Sequence, residues 1–324
     1  MLFTTPNRRA LLKLAAALPA FAMGAGPMQA AVLGAPDGGN PGHFHFTLGE
    51  MKLTVLSDGH FALPTSGLGV NAPREAVADF LAQHYLDLEQ GYSHTNHLFV
   101  DTGAARILVD VGSGTRWFGS TGRLLANMEA AGIDPASITH VAITHAHPDH
   151  IWGIRDDFDE AIFPQAEYIM GAAEHAYWMQ DGLAERVEPQ AQQFVVGAVN
   201  SINCEGVKWV LADAGHEVVA GVRLISTPGH TPGHMSLHLE SNGQQLIALG
   251  DSMTHAHLNF AHPEWYNGTD SDGDLTVLTR KRLLARAAAD RIAVLGYHFP
   301  FPGVGHVRAE GSSYRFLPAL WQFE

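Results

Sequence analysis

Short apolar runs alternate along the chain with segments in which apolar residues recur every three or four positions. The runs, bounded by Gly, Pro, Asn or Asp, predict strands, and the longer periodic segments predict helices. The predicted strands are 51–57, 97–100, 106–110, 138–144, 167–170, 222–226, 246–249 and 291–295. The predicted helices are 74–90, 122–131, 172–180, 189–202 and 275–289. This alternation predicts an α/β protein, and without repeats or a long linker it predicts one domain over residues 31–324.

Two turn signals refine the first part of this pattern. Asp58-Gly59 is predicted to end the first strand, and Thr102-Gly103 is predicted to join the next two strands as a hairpin. Most of the candidate site residues named below follow directly after a predicted strand or begin a predicted helix. In α/β proteins the functional site is found at such positions.

Residues 1–30 have the composition of an export signal. Arg8-Arg9 precedes an apolar run from Leu14 to Met23, and a small-residue cleavage end follows at Ala30. Pro19 interrupts the run, which is shorter than the roughly 20 apolar residues that span a bilayer. The alternatives are an ordinary secretory leader and a membrane anchor. The segment favours a twin-arginine signal, periplasmic localisation and no membrane span after cleavage.

The composition of the chain argues against certain partners and certain kinds of metal site. The formal net charge is −14, and an acidic surface repels phosphate backbones, which argues against nucleic acid as a partner. Cys204 is the single cysteine, so neither an intramolecular disulfide nor a thiolate metal site can form. A small-molecule substrate is the expectation that remains.

The densest chemistry lies in His145–His150, which reads His-Ala-His-Pro-Asp-His. Most of the 20 histidines are expected to be ordinary core or surface residues, but three histidines and an aspartate within six positions can supply ligands to two metal ions. His230, Asp251 and His298 follow in an order that completes such a set. Two metals of this kind generate hydroxide at neutral pH, so the set predicts a metal-dependent hydrolase. Nitrogen and oxygen ligands suit Zn²⁺ and also admit manganese, cobalt or iron.

These residues and their order resemble the metallo-β-lactamase superfamily, from the strand ending at Asp110 to His298. The resemblance implies an αβ/βα four-layer sandwich with metals at the edges of the sheets. Finer details are similar to the branch that contains methyl parathion hydrolase, lactonases and aryl esterases. That similarity is carried by residues 56–59, 144–150, 229–234 and 301–311.

The resemblance also implies a role for each site residue. One metal would be held by His145, His147 and His230, the second by Asp149, His150 and His298, and Asp251 would bridge both. Asp149 and Asp251 are also the candidate catalytic residues, because each can orient or relay a proton. Asp110 and His234 would support the ligands, and the alternative for Asp110 is an ordinary turn residue.

The same branch implies aromatic pocket walls at Phe118, Trp178 and Phe194, for which core packing is the alternative. His255 and His257 depart from the branch's apolar pattern and predict a more polar pocket. The segment 64–73 differs as well, which argues against a dedicated organophosphate site.

The expected function is therefore hydrolysis of lactones or aryl esters by metal-bound hydroxide, with phosphotriesters as a side activity. The main alternative is a β-lactamase, although a carboxylate at Asp251 is more similar to glyoxalase II, lactonases and phosphotriester hydrolases. A metal-binding scaffold without turnover and a di-iron oxidoreductase are weaker alternatives. The branch resemblance implies a homodimer.

Overall fold

The computed structural model describes residues 40–321, so the predicted signal at 1–30 lies outside the described residues. The first half of the described chain begins with a hairpin and continues into alternating strands and helices. Its elements are β1 (His43–Leu48), β2 (Met51–Pro64), α1 (Arg74–Gln83), β3 (Gln90–Asp101), β4 (Arg106–Val109), α2 (Leu124–Ala130), β5 (His140–Ile143), α3 (Pro148–Ile151), β6 (Glu167–Gly171), α4 (Ala172–Trp178), α5 (Leu183–Arg186), α6 (Gln192–Ile202) and β7 (Trp209–Ala212).

The second half builds another sheet from its own strands and places two helices against it. Its elements are β8 (Glu217–Val219), β9 (Val222–Ser226), β10 (Met235–Ser241), β11 (Gln244–Ala248), α7 (Leu258–Ala261), α8 (Gly273–Asp290), β12 (Ala293–Leu295), β13 (Val304–Glu310) and β14 (Ser313–Pro318). The strand order is β1 to β7 in the first sheet and β14 to β8 in the second.

Alternation along the strands explains how the layers pack. On β2, Leu53 and Val55 belong to the core between the two sheets, whereas Leu56 faces the core beneath the helices. A third core packs α8 against the outer face of the second sheet, around Leu283 and Leu284. The result is the predicted four-layer α/β sandwich, and that prediction is confirmed.

Parallel pairing brings the ends of the central strands together. β4, β5, β6 and β7 are parallel neighbours, and so are β11 and β12. The loops at the carboxyl ends of β5, β11 and β12 carry the candidate ligands His145, Asp251 and His298. Parallel strands therefore gather residues that are far apart in sequence at one edge of the sandwich.

Several predicted boundaries are wrong, and the strand predicted over 97–100 already begins at Gln90. β2 runs through Asp58-Gly59 to Pro64, because a bulge between Ser57 and Gly59 turns the buried Asp58 carboxylate inward to accept hydrogen bonds from Ser113 and Leu124. The helix predicted over 74–90 ends at Gln83, and the chain then enters β3. The predicted hairpin around Thr102-Gly103 is confirmed by the antiparallel pairing of β3 with β4.

None of the helices within residues 40–321 combines the length and the apolar character needed to cross a membrane.

Candidate metal centre and adjoining cavity

Seven buried or nearly buried side chains meet where the two sheets end. The β5–α3 connection and α3 supply the four residues of the histidine motif, and the loop between β9 and β10 supplies one more histidine. The other two follow β11 and β12 directly. Together they form two groups with the chemistry of metal sites: His145, His147, His230 and Asp251, and then Asp149, His150 and His298.

Three ring nitrogens converge in the first group. His147 Nδ1 lies 2.9 Å from His145 Nε2 and 2.9 Å from His230 Nε2. Asp251 Oδ2 lies 3.2 Å from His230 Nε2 and 3.9 Å from His145 Nε2. The arrangement offers three nitrogens and one carboxylate oxygen to a single cation.

The second group adjoins the first through Asp251. Asp149 Oδ2 lies 3.5 Å from His150 Nε2 and 3.4 Å from His298 Nε2. Asp251 Oδ1 lies 3.3 Å from His150 Nε2, and its Oδ2 lies 3.0 Å from His298 Nε2. The structure therefore places Asp251 between the groups, at the position that the sequence predicts for a residue shared by two metals.

Unpaired polar atoms show that these residues fit metal ions. Asp149 Oδ2, His150 Nε2 and Asp251 Oδ1 are buried and have no hydrogen-bond partner among residues 40–321. Buried polar atoms are otherwise almost always paired, so three such atoms at one place indicate a missing partner. Since imidazole nitrogens and carboxylate oxygens are ligands of divalent metals, the donor set fits two such ions.

Electrostatics point the same way. Burial lowers the pKa of His145 and His147 well below the ordinary value, and neighbouring histidines add to this effect. Burial also opposes protonation of His150, His230 and His298, yet the nearby carboxylates, above all Asp251, raise the pKa of each. Buried negative charge thus favours positive charge at this place, and a bound cation supplies it.

Hydrogen bonds from Nδ1 orient four of the ligand rings. His150 Nδ1 donates to Asp110 at 2.8 Å, and His230 Nδ1 donates to Asp270 at 3.1 Å. His298 Nδ1 donates to the His94 carbonyl at 2.8 Å. The fourth of these rings, His145, has its Nδ1 3.1 Å from the Thr144 hydroxyl. With Nδ1 protonated, each ring presents the Nε2 lone pair to the site.

Asp110 and His234, the two residues predicted to support the ligands, each contact a candidate ligand. The Asp110 carboxylate accepts hydrogen bonds from Thr144 as well as from His150, and its φ of 58° is a left-handed conformation that suits Asp. His234 Nε2 accepts the Asp251 amide at 2.9 Å, and its Nδ1 bonds to the Thr227 hydroxyl. Burial lowers the pKa of His234 to about 3, so its ring stays neutral and holds the Asp251 loop.

Sequence reasoning missed two acidic residues, Asp270 and Glu174. Asp270 holds the His230 ring, and no local motif marks it. Glu174 on α4 accepts the amides of Ala146 and Gly233, each at 3.0 Å, and the Thr231 hydroxyl at 2.7 Å. One fully buried carboxylate therefore ties the loop of His145 and His147 to the loop of His230.

A cavity of about 350 Å³ adjoins the second group and is lined by His298. Its walls are largely apolar and include Leu63, Leu68 and Leu86 as well as His255 and His257. The prediction that His257 faces a pocket agrees with this position. The cavity is within the size range of small-molecule sites.

The three aromatic residues predicted as pocket walls are not among the residues that line this cavity, and their role as pocket walls stays a prediction. Trp178 is buried because its indole donates to Glu174 at 2.6 Å and its ring packs edge-on against His147. Phe194 packs against Trp117. Phe118 is 37 % exposed and stacks on Phe61, whose ring contacts His298 edge-on.

Comparison with known proteins agrees with this geometry. The family model of the metallo-beta-lactamase superfamily matches residues 91–297, which include six of the seven candidate ligands. The chain belongs to the metallo-beta-lactamase superfamily. The remaining ligand candidate, His298, follows directly after the matched range.

Curated relatives within the superfamily are distant and partial. An N-acyl homoserine lactonase of a Bacillus species is 28% identical over 159 residues, covering 49% of this chain and 55% of that protein. A probable metallo-hydrolase of Mycobacterium bovis is 28% identical over 224 residues, covering 60% of this chain and 68% of that protein. The chain spans about half the length of the first of these relatives.

Solved structures of superfamily members are similar over most of the chain. The dizinc quorum-quenching lactonase AidC, in complex with the product N-hexanoyl-L-homoserine, has a TM-score of 0.82 and 25% identity, covering 87% of this chain and 99% of that one. The hydrolase AbOPH of the beta lactamase superfamily has a TM-score of 0.80 and 27% identity, covering 88% and 99%. These values support the fold over nearly the whole described chain.

Proposed function

We propose that this protein is a two-metal hydrolase that opens the ring of N-acyl homoserine lactones. The observation that carries the proposal is the position of Asp251 between two His/Asp groups, beside a largely apolar cavity. Similarity to an N-acyl homoserine lactonase and to a dizinc lactonase supports the substrate class. The superfamily also contains other hydrolases, so the substrate requires its own test.

The metal ions would be held by the two groups described above, and we propose Zn²⁺ for both. When bound, such ions lower the pKa of water to near 7 and polarise a carbonyl oxygen. The protein fixes the rings that hold them through Asp110 and Asp270, which accept from His150 and His230. These hydrogen bonds keep the tautomer that metal binding needs.

The proton steps can be assigned to the chain's own carboxylates. Asp149 would hold a metal through one carboxylate oxygen, so its other oxygen can accept the proton that water releases as the water oxygen attacks the lactone carbonyl. The ring C–O bond then breaks, and the leaving alkoxide takes this proton. Since that alkoxide stays attached to the product, no strong protein acid is needed.

The cavity accounts for the acyl group. Leu63, Leu68 and Leu86 offer an apolar wall next to His298, where an alkyl chain can leave water while the lactone ring lies at the metal residues. A substrate with both a lactone ring and an alkyl chain therefore occupies the metal residues and the cavity at the same time.

The proposal is tested with zinc-loaded protein of residues 31–324 and N-hexanoyl homoserine lactone, followed by proton release. Hydrolysis should stop on addition of a chelator and return with zinc. H298A should lose activity, whereas H306A, which changes an exposed histidine on β13, should retain it. Hydrolysis that survives complete metal removal would overturn the proposal.

Methyl parathion and a chromogenic cephalosporin complete the substrate panel. We propose that the lactone is the preferred substrate and that phosphotriester cleavage is a slower side activity. Faster turnover of the phosphotriester or of the cephalosporin than of the lactone would replace the proposed substrate with that class.

Export and assembly are further parts of the proposal. Residues 1–30 would direct the folded protein to the periplasm by the twin-arginine route, so replacing Arg8 and Arg9 together by Lys should leave the protein in the cytoplasmic fraction. The mature chain would form a homodimer, and light scattering on a sizing column measures its mass directly.

A further inference from the structure

The segment that follows Asp251 contains a histidine whose ring is fixed by the backbone. His255 Nδ1 accepts hydrogen bonds from the amides of His257 and Leu258, each at 3.1 Å. In return, Asn259 Oδ1 accepts the amides of Thr254 and His255, each at 2.8 Å. These four bonds close the segment into one rigid unit at the start of α7.

Those bonds also determine where the ring carries its proton. Because Nδ1 accepts two amide protons, it is unprotonated, and the neutral ring carries its hydrogen on Nε2. Burial lowers the pKa of His255 to about 4, and the neighbouring His257 and His84 add to this effect. Near neutral pH the side chain is therefore an uncharged donor.

The donor has no hydrogen-bond partner among the residues that the structure describes. Across residues 40–321, no group forms a hydrogen bond with His255 Nε2, and the half-buried ring lines the cavity that His298 also lines. A donor on a ring that lines a largely apolar cavity can fix the orientation of a ligand through one acceptor.

We propose that His255 Nε2–H donates a hydrogen bond to the amide carbonyl oxygen of an N-acyl lactone, which makes His255 a specificity-determining residue. This inference rests on the proposed function. The lactone carbonyl is the reacting group and belongs among the seven metal residues, to which His255 does not contribute. The amide carbonyl is the next acceptor along such a substrate, between the ring and the acyl chain in the cavity.

The variant H255N separates this role from the structural one. An Asn side chain accepts helix amides well through Oδ1, so it can replace Nδ1, but it does not reach as far as Nε2. H306N, at an exposed position on β13, is the matched control. Unchanged melting temperature and zinc content would show that the segment and the metal residues are intact.

Two lactones isolate the hydrogen bond: N-hexanoyl homoserine lactone, and an alkyl γ-lactone that lacks an amide. H255N should lower kcat/KM for the N-acyl lactone about tenfold, mainly through KM, because one hydrogen bond is lost. The alkyl lactone should be unaffected. Calorimetry with the unreactive N-hexanoyl homoserine lactam should show a similar loss of binding, independently of turnover.

The outcomes are distinct. Wild-type behaviour of H255N toward the lactone and the lactam would overturn the inference alone. An equal loss on both lactones would place the hydrogen bond on the reacting carbonyl and would also overturn it. Wild-type protein that neither binds the lactam nor hydrolyses either lactone would overturn the proposed function, and this inference with it.

Discussion

The two groups of metal residues are held in different ways. In the first group, Glu174 fixes the backbone on either side of the ligands, through the Ala146 and Gly233 amides. In the second group, support acts on the rings, since Asp110 bonds to His150 and the Tyr297 ring stacks on His150 at 3.9 Å. The first group therefore depends on how two loops meet as well as on the Asp270 bond that orients His230, whereas the second depends on how single rings are oriented.

The loop of His230 packs so closely against α4 that it leaves no room for a larger residue at Gly233. A Cβ on Gly233 would lie 2.0 Å from the backbone nitrogen of Glu174, so only glycine permits this approach. Glu174 also accepts the Trp178 indole at 2.6 Å. One carboxylate outside the two ligand groups thus determines the spacing of three candidate ligands, His145, His147 and His230.

The strongest test removes the residue that both groups share. D251N should lower metal content at both groups and reduce lactone hydrolysis by more than about 100-fold, beyond the effect typical of supporting residues. The Asp251 carboxylate lies within 3.2 Å of His230 in the first group and within 3.0 Å of His298 in the second. Its replacement therefore removes a negative charge from both groups. Elemental analysis after dialysis, with hydrolysis of the same samples, measures the effect. Retention of two metals per chain would contradict the shared role.

The next effect should come from Glu174. E174A leaves four buried donors without an acceptor, so we expect the free energy of unfolding to fall by at least about 3 kcal/mol. Affinity for the metal of the first group should fall about 10- to 100-fold, with a smaller change at the second.

Chemical denaturation and zinc titration measure both quantities for E174A. E185A changes an exposed residue on α5 and should resemble the wild type. E174Q, which keeps the side-chain volume, supplies the answer if E174A does not fold. Equal weakening of both metal groups would show that Glu174 does not act on the first group specifically.

A matched pair of ring-supporting variants sharpens the comparison. D110N should weaken the metal of the second group about tenfold, because His150 loses its negatively charged acceptor, while D270N should do the same to the first group through His230. Asn tolerates the left-handed φ of 58° at Asp110, so the backbone there is preserved. Competitive titration with a zinc chelator resolves the two affinities. If both variants weakened the same zinc affinity, the claim that Asp110 and Asp270 support different groups would be contradicted.

The smallest expected effect is on the pH dependence of stability, and it comes from His255, which belongs to neither metal group. The unfolded His255 side chain takes up a proton near its ordinary pKa of 6.5, whereas the folded one resists protonation down to about 4. Its contribution to stability is therefore complete above pH 6.5 and is lost as the pH falls through 4. Denaturation of metal-free protein should show a steeper loss for the wild type than for H255N over this range. If the free energy of unfolding fell equally with pH in the wild type and in H255N, the lowered pKa of His255 would be refuted.

Local patterns explain what could be predicted from sequence. The ligands of His145–His150 are adjacent in sequence, so their shared chemistry is visible before any folding, and the order of the later ligands follows from the order of the strands. Asp110 and His234 could be placed by resemblance. The alternation of apolar runs was sufficient for the α/β class and for the hairpin of β3 and β4.

Long-range contacts explain what could not be predicted. Glu174 and Asp270 meet their partners only after the two sheets pack, and neither lies in a motif. The bulge at Ser57 depends on Asp58 finding the amides of distant loops, so a turn signal was misread as a strand end. The sequence marks Trp178 only as a large aromatic residue. The hydrogen bond from its indole to the buried Glu174 carboxylate depends on the fold.

The most direct test of the account is the number of metal ions that hydrolysis requires. Metal-free protein of residues 31–324 is titrated with zinc, and N-hexanoyl homoserine lactone hydrolysis is measured at each step. The account predicts two zinc ions per chain, with full activity only when both are bound. Full activity with one ion, or in the presence of a chelator without any, would contradict it.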